Sequence, residues 1–190
     1  MKSKLLTLSL ALSCAFAGSA MAMTKVEYKV ENDRISGEYK AAKSTCSSLK
    51  ANAKDVCMSE AKGAEKVAKA ETESKYKPTA RNTEKVGMVK ADAMYDTAKE
   101  KCDDLAGNAK DVCVKEAKVG YTKAKDDAKI AKVSADTSAT KSDKMADVKK
   151  DAKADENKAM FKAANERCDA LAGAAKDSCQ NDAKTKFGMK

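Results

Sequence analysis

The stretch "CDDLAGNAKDVC" occupies residues 102–113, and close copies of it stand at 46–57 ("CSSLKANAKDVC") and 168–179 ("CDALAGAAKDSC"). Each copy begins and ends with a cysteine, and the copies start 56 and then 66 residues apart. Self-similarity at intervals of this size is typical of one supersecondary unit that occurs several times. We therefore interpret most of the chain as three copies of one unit.

The residues on both sides of the 102–113 stretch predict helices. Small and apolar residues recur at steps of three and four before the stretch (Met88, Ala91, Tyr95, Ala98, Cys102, Leu105) and after it (Cys113, Ala117, Gly120, Ala124). Such steps place residues on one face of an α-helix. We expect both cysteines to lie on the buried stripes of helices.

The insert between the cysteines predicts a turn. On one straight helix the two cysteines would be separated by roughly 16 Å, whereas a disulfide needs Cα atoms about 4.4 to 6.8 Å apart. Gly107 suits the left-handed position just past a helix end, and Asn108 is predicted as the N-cap of the next helix. Copy one has Ala51 in place of the glycine, and copy three has Ala174 in place of the asparagine. Each unit is therefore predicted to be an antiparallel helical hairpin.

Six cysteines lie in the three copies and predict disulfides within each hairpin. The predicted pairs are Cys46–Cys57, Cys102–Cys113 and Cys168–Cys179. Cross-linking of one motif to a facing motif is the alternative among the 15 connectivities that six cysteines allow, but three motifs cannot all be paired that way within a monomer. Thiolate metal binding is a weaker alternative, because the chain has no histidine and no C-x-x-C spacing.

Residues 1–22 are predicted to be a signal peptide. Lys2 and Lys4 precede an apolar run that is too short to span a membrane, and a small-x-small cleavage pattern ends at Ala22. We expect cleavage after Ala22 and a periplasmic protein, since paired cysteines suit an oxidising compartment. A retained membrane anchor and a lipoprotein modified at Cys14 are the less favoured alternatives. The chain after Ala22 holds no predicted transmembrane segment.

The composition predicts an all-α fold with three stapled hairpins and about six helices. Leu, Ile, Val and Phe make up roughly a tenth of the chain after Ala22, whereas alanine and lysine, which favour helices, dominate. We divide it into hairpin 1 (23–78), hairpin 2 (79–134), and a linker with hairpin 3 (135–190). Pro78 separates the first two. Residues 134–143 form a linker or continue a helix, and the hairpins form a bundle or an extended array; both choices stay open, as does the oligomeric state.

The charges and side chains argue against catalysis. Removal of Lys2 and Lys4 lowers the formal charge from +9 to +7, but the signs alternate along the chain as on a solvated helix surface. Histidine, the commonest general base, is absent, and no nucleotide-binding or metal-ligand motif occurs. The neighbouring carboxylates Asp103–Asp104 and Asp126–Asp127 are predicted to point apart on helix surfaces. We predict no catalytic residue, cofactor or metal.

Three segments also resemble a known group of proteins: "GEYKAAKSTC" (37–46), "GNAKDVCVKEAK" (107–118) and "AKTKFG" (183–188). With the signal sequence, they are similar to uncharacterised exported Ala/Lys-rich proteins of Gram-negative bacteria, which are sometimes labelled TolA-like on composition alone. The resemblance covers nearly the whole chain after Ala22. It implies an exported protein and no functional residue.

These observations lead us to expect a non-catalytic periplasmic helical protein with a structural, stress-protective or interaction role in the cell envelope, where an envelope protein would be its partner. A cationic binder of anionic polymers, such as lipopolysaccharide or nucleic acid, is the alternative that the positive charge suggests. Soft-metal binding through reduced cysteines is the second alternative.

Overall fold

The computed structural model describes residues 23–189, so the predicted signal peptide and Cys14 lie outside the described residues. The described chain forms six α-helices and no strand: α1 (Lys25–Cys46), α2 (Ala51–Tyr76), α3 (Ala80–Cys102), α4 (Gly107–Ser134), α5 (Lys141–Cys168) and α6 (Gly173–Phe187). The all-α fold with three disulfide-stapled hairpins is confirmed.

The six helices form an open array. Within residues 23–189 each helix packs only on the helices that precede and follow it in the chain. Successive helices run antiparallel, so the three cysteine hairpins place their tips (residues 47–50, 103–106 and 169–172) side by side at one end. Of the two arrangements left open by the sequence, the structure adopts the extended one.

Two short links join the hairpins at the other end of the array. The first follows Tyr76 and contains Pro78, after which the Thr79 Oγ1 accepts a hydrogen bond from the Asn82 N–H (3.1 Å) and caps α3. The second comprises residues 135–140, between α4 and α5. The stretch 134–143 is therefore mainly a linker and does not continue the helix.

The core consists largely of alanine. Most of the buried apolar residues are alanines or disulfide cysteines, and Ile35 is the one larger aliphatic side chain buried among the described residues. Small side chains allow helix axes to approach to about 8 Å. The array therefore gains its contacts from close backbone approach rather than from large apolar side chains.

The turn at each tip differs in detail from the prediction. Helix α3 ends at Cys102, and the Leu105 N–H donates to the Cys102 carbonyl (3.0 Å). Leu105 is 44% exposed, so its assignment to the buried stripe is wrong. Gly107 has the left-handed conformation that was predicted (φ 56°), but it begins α4, with Ala106 as the N-cap. Asn108 therefore lies inside the helix, and its assignment as the N-cap is wrong as well.

The first tip contains a strained alanine. Ala51 occupies the position of Gly107 and Gly173 and has a φ of 49°, which makes it the one non-glycine residue with positive φ in the described chain. A Cβ in this region costs about 1–2 kcal/mol. We expect Ala51→Gly to raise the free energy of unfolding by about 1 kcal/mol.

The matched control for this change is Gly107→Ala, which should lower the stability by about the same amount. Denaturant unfolding of the oxidised protein, followed by circular dichroism, measures both variants. A stability loss in Ala51→Gly would contradict the assigned backbone conformation.

Helices α3 and α4 approach each other closely at Gly87. A Cβ on Gly87 would lie 2.5 Å from the Ala128 Cβ and 3.1 Å from its Cα, whereas a Cβ on Gly37 would meet no atom within 4 Å. Gly87→Ala should therefore destabilise the protein by about 1–2 kcal/mol, because α3 and α4 must separate.

Gly37→Ala makes the same chemical change in the exposed interior of α1 and should stabilise the protein by up to about 1 kcal/mol through helix propensity. Thermal or denaturant unfolding of the pair tests the close approach. Equal effects of the two substitutions would be incompatible with it.

Candidate functional site

The six cysteines form three disulfides, each within one hairpin. The bonds join Cys46 to Cys57, Cys102 to Cys113 and Cys168 to Cys179, with Cα atoms 5.5, 5.7 and 5.7 Å apart. The first cysteine of each pair is the last residue of its helix and is fully buried. In the loop-entropy description each bond stabilises the fold by roughly 2–3 kcal/mol. Cysteines bonded in this way offer no thiolate to a metal.

Asparagine side chains join neighbouring hairpins near these tips. The Asn52 Nδ2 on α2 donates to the Glu100 carbonyl in the last turn of α3 (2.8 Å). With its amide oriented to match its surroundings, Asn108 on α4 donates to the Glu166 carbonyl and accepts from the Ala170 N–H (3.1 Å each). These asparagines add hydrogen bonds to backbone groups at the end of a neighbouring helix, where the same groups also make turn hydrogen bonds within their own chain segment.

Ion pairs occur at the same two junctions. The Lys101 Nζ lies 2.9 Å from Glu60, and the Arg167 Nε donates to Glu116 (3.1 Å). Both cations directly precede the first cysteine of a hairpin, and both glutamates follow the second cysteine of the previous hairpin by three residues. Each junction between two hairpins therefore has the same two kinds of contact, an asparagine hydrogen bond and an ion pair.

Each of the two outermost helices lacks one of these junction groups. Ala174 on α6 stands where α2 and α4 have asparagine, and Thr45 on α1 stands where α3 and α5 have a cation. In the described chain α1 packs only on α2, and α6 packs only on α5. The asparagine and the cation are thus present where two hairpins meet and absent at the outer edges, although Asp182 on α6 keeps a carboxylate at the position of Glu60 and Glu116.

A tyrosine pair lies on the α3–α4 interface. The Tyr95 and Tyr121 rings stack with centroids 4.8 Å apart, as the hairpin register predicts. The Lys118 Nζ lies 4.2 Å from the Tyr121 ring centroid. The Tyr121 hydroxyl donates to Asp92 Oδ1 (2.8 Å), and this hydrogen bond is the main reason that the pKa of Tyr121 is raised to about 12. The hydroxyl therefore stays protonated at neutral pH and is unsuited to act as a base.

Asp126 is buried on α4, so its prediction as a surface carboxylate is wrong. Its side chain is 2% exposed, and Oδ1 accepts a hydrogen bond from the Lys129 Nζ (2.7 Å), which raises the pKa of Lys129. Oδ2 is buried without a hydrogen-bond partner. The neighbouring Asp127 is exposed and pairs with Lys123. The two carboxylates thus point apart as predicted, but in different environments.

Asp126 is among the residues that line a groove of about 270 Å³ between α4 and α5. We call it the lysine groove, since five lysines line it: Lys118, Lys125, Lys129, Lys158 and Lys162. Asp155 is the other carboxylate of the lining and lies 3.7 Å from the Lys129 Nζ. The groove therefore has a surplus of positive charge in its lining.

Asp103 pairs with Lys110 across the second tip (3.0 Å), so it forms a surface ion pair and not an acid–base pair. Residues 23–189 contain no group of carboxylate and cysteine side chains arranged to hold a metal ion. In the same range, every helix is too short or too polar to cross a bilayer.

The chain matches no protein-family model, no curated protein and no solved structure.

Two signals in the sequence could have identified groups that the prediction missed. Asparagine occurs in copies one and two of the insert and alanine in copy three, which is the pattern of a contact to a following hairpin. Thr24 and Glu27 have capping-box spacing, and they do form one at the start of α1. Burial of Asp126 has no comparable signal, because it depends on how α4 packs on its neighbours.

The junction asparagines lead to a stability prediction. Asn108→Ala should lower the free energy of unfolding by about 1 kcal/mol, because two hydrogen bonds between hairpins at the end of α5 are lost. Ala174→Asn, the reverse change on the outer face of α6, should alter stability by less than about 0.5 kcal/mol. Denaturant unfolding measures both, and equal effects would show that Asn108 acts only through its own helix.

Proposed function

We propose that the protein is an exported, non-catalytic helical protein of the periplasm with a structural, stress-protective or protein-interaction role in the cell envelope. In this proposal residues 1–22 are a signal peptide removed after Ala22, and the chain is a member of the Ala/Lys-rich exported group that its sequence resembles. The observation that carries the proposal is a disulfide in each hairpin of an array that has little apolar core.

The disulfides support an oxidising location. Single-domain stabilities are commonly about 5–15 kcal/mol, so three bonds of roughly 2–3 kcal/mol each are a large share of what this fold can have. In a reducing cytosol the disulfides would be reduced, and their contribution to the free energy of unfolding would be lost. A location where disulfides persist is therefore the one in which this fold is most stable.

The shape of the array supports an interaction role. Because each helix of residues 23–189 packs only on its neighbours in the chain, much of every helix stays exposed to solvent. In the described chain this exposed surface is rich in ion pairs between lysine and carboxylate side chains, as between Lys90 and Glu71 (2.6 Å). Such a surface suits contact with a large partner better than enclosure of a substrate.

Binding of anionic polymers is the second candidate, and the lysine groove is the observation that favours it. Soft-metal binding by the cysteines is a third candidate and applies to the reduced chain alone, because a metal needs free thiolates. Counting the thiols of protein purified from the periplasm separates this candidate from the other two.

The proposed function predicts the state of the exported protein. Expressed with its own N-terminus in a Gram-negative host, the protein should be recovered from the periplasm with Met23 as its first residue and with no free thiol. Intact-mass analysis and thiol labelling of the periplasmic and cytosolic fractions measure this. Substitution of Ala20 and Ala22 by aspartate should block the cleavage.

Crosslinking in living cells tests the interaction role. A photoreactive residue at the exposed position Lys62 should capture an envelope protein, and the capture should be lost when Cys46 and Cys57 are both replaced by serine. Recovery of a reduced cytosolic protein, or absence of both an envelope partner and an envelope-stress phenotype on deletion, would overturn the proposal.

A further inference from the structure

We propose that α1 of one molecule packs against α1 of a second molecule, and that the two helices run parallel about a two-fold axis. The surface that makes this contact is the outer face of α1, which consists of five residues: Val26, Val30, Gly37, Ala41 and Ser44. Their spacing of four, seven, four and three places them on one side of the helix. The dimer is independent of the proposed function, which involves none of these residues.

The outer face of α1 is open to solvent in the described chain. Helix α1 packs only on α2, and its buried residues Ile35 and Cys46 lie on the side opposite to this face. Val26 and Val30 are 73% and 63% exposed, which are the largest exposures of any bulky apolar residue in the range 23–189. A Cβ on Gly37 would meet no atom within 4 Å. The single molecule thus exposes apolar and small residues along the length of one helix.

The corresponding face of the other two repeats is covered. The positions of Val30, Gly37 and Ala41 correspond to Val86, Ala93 and Thr97 on α3 and to Ala152, Ala159 and Ala163 on α5. On α3, a Cβ added to Gly63 of α2 would lie 2.9 Å from the Ala93 Cβ, so this face is in contact with the preceding hairpin. On α5 the three alanines are buried, and Ala159 lines the interface with α4. The repeat therefore uses this face for helix packing, and α1 is the one copy without a helix on it in the described chain.

Helix α6 of another molecule is too short to cover this face. If α6 packed on α1 as α2 packs on α3, its 15 residues would extend about 22 Å from the tip end. Val30 and Val26 lie roughly 24 and 30 Å from that end of α1, since each residue of a helix rises about 1.5 Å. Both valines would stay exposed, so a head-to-tail contact does not account for them.

The position of the valines favours a second α1 in parallel orientation. Both valines lie within the first six residues of α1. In a parallel two-fold pair each residue of the face meets its own copy, so Val26 and Val30 contact the same valines of the other molecule. Gly37 and Ala41 then allow the helix axes to approach to about 8 Å. An antiparallel pair centred on Gly37 would instead place Val30 against Ser44.

The charges beside the face are complementary in the parallel arrangement. Since a helix turns by about 100° per residue, Glu27 and Arg34 flank the face on one side. Lys29 and Asp33 flank it on the other side, and neither forms an ion pair within residues 23–189. A two-fold axis along the helices brings unlike sides together, so Arg34 of one molecule lies beside Asp33 of the other. Glu27 lies beside Lys29 in the same way, and such complementarity fixes the orientation of the two partners.

Sedimentation equilibrium of the oxidised chain 23–190 tests the dimer. We expect reversible dimerisation with a dissociation constant on the order of micromolar, since the interface is small. Val26→Glu with Val30→Glu should weaken dimerisation more than about tenfold, because like charges replace an apolar contact. Leu105→Glu with Leu171→Glu changes two other exposed apolar side chains, which lie at the tips, and should leave the dissociation constant unchanged.

The valine variant is expected to keep its fold, because both valines are exposed and glutamate favours helices more than valine does. Circular dichroism checks this. A chain that stays monomeric up to about 1 mM, or equal effects of the valine pair and the leucine pair, would overturn the proposal.

Charge reversal tests the parallel orientation. Asp33→Arg should weaken the dimer about tenfold, and addition of Arg34→Asp should restore it, because the pair is then reversed on both sides. In an antiparallel pair Arg34 would lie near Glu38, and Asp33 would lie near Lys40. The double change would then weaken association further, which would contradict the parallel arrangement.

Crosslinking locates the contact independently of these substitutions. A photoreactive residue at Lys29 should form a dimer whose crosslinked peptide, identified by mass spectrometry, comes from residues 25–34 of the other molecule. Crosslinks to α6, or to the half of α1 that ends at Cys46, would exclude the proposed dimer.

Discussion

The disulfide at each hairpin tip is the interaction on which the rest of this structure depends. It joins the last residue of one helix to a residue in the second turn of the next, and so fixes both the separation and the register of two helices that bury mainly alanine. Once the register is fixed, Tyr95 meets Tyr121 and Gly87 meets Ala128. Without it, alanine interfaces would specify register poorly, because one alanine fits another equally well a turn further along.

The hairpins could be predicted from the sequence because local geometry alone decides them. The rise of a helix excludes a bond between cysteines eleven residues apart on one straight helix, and the glycine in the insert marks the turn. Asn108 was misassigned because a local rule, N-capping, was applied to a residue whose partners belong to another hairpin. Burial of Asp126 was beyond the sequence for the same reason, since its position between packed helices is set by tertiary contacts and not by its own helix.

Charge has two separate roles in this molecule. At the junctions, opposite charges lie across neighbouring hairpins, as with Arg167 and Glu116, and each such exposed pair contributes at most about 1 kcal/mol. In the lining of the lysine groove the positive charges outnumber the negative ones. The first arrangement gives the order of the hairpins a chemical basis, and the second concentrates positive charge between α4 and α5.

The absence of junction groups on the outermost helices has a consequence for assembly. Stacked helical units expose the same kind of edge at both ends, and an edge that could repeat its internal contacts would allow one molecule to add to the next without limit. Ala174 provides no amide to a following helix, and Thr45 provides no cation to a preceding one. The two ends therefore cannot reproduce the internal junction with each other, so these contacts do not favour growth of the array into a filament.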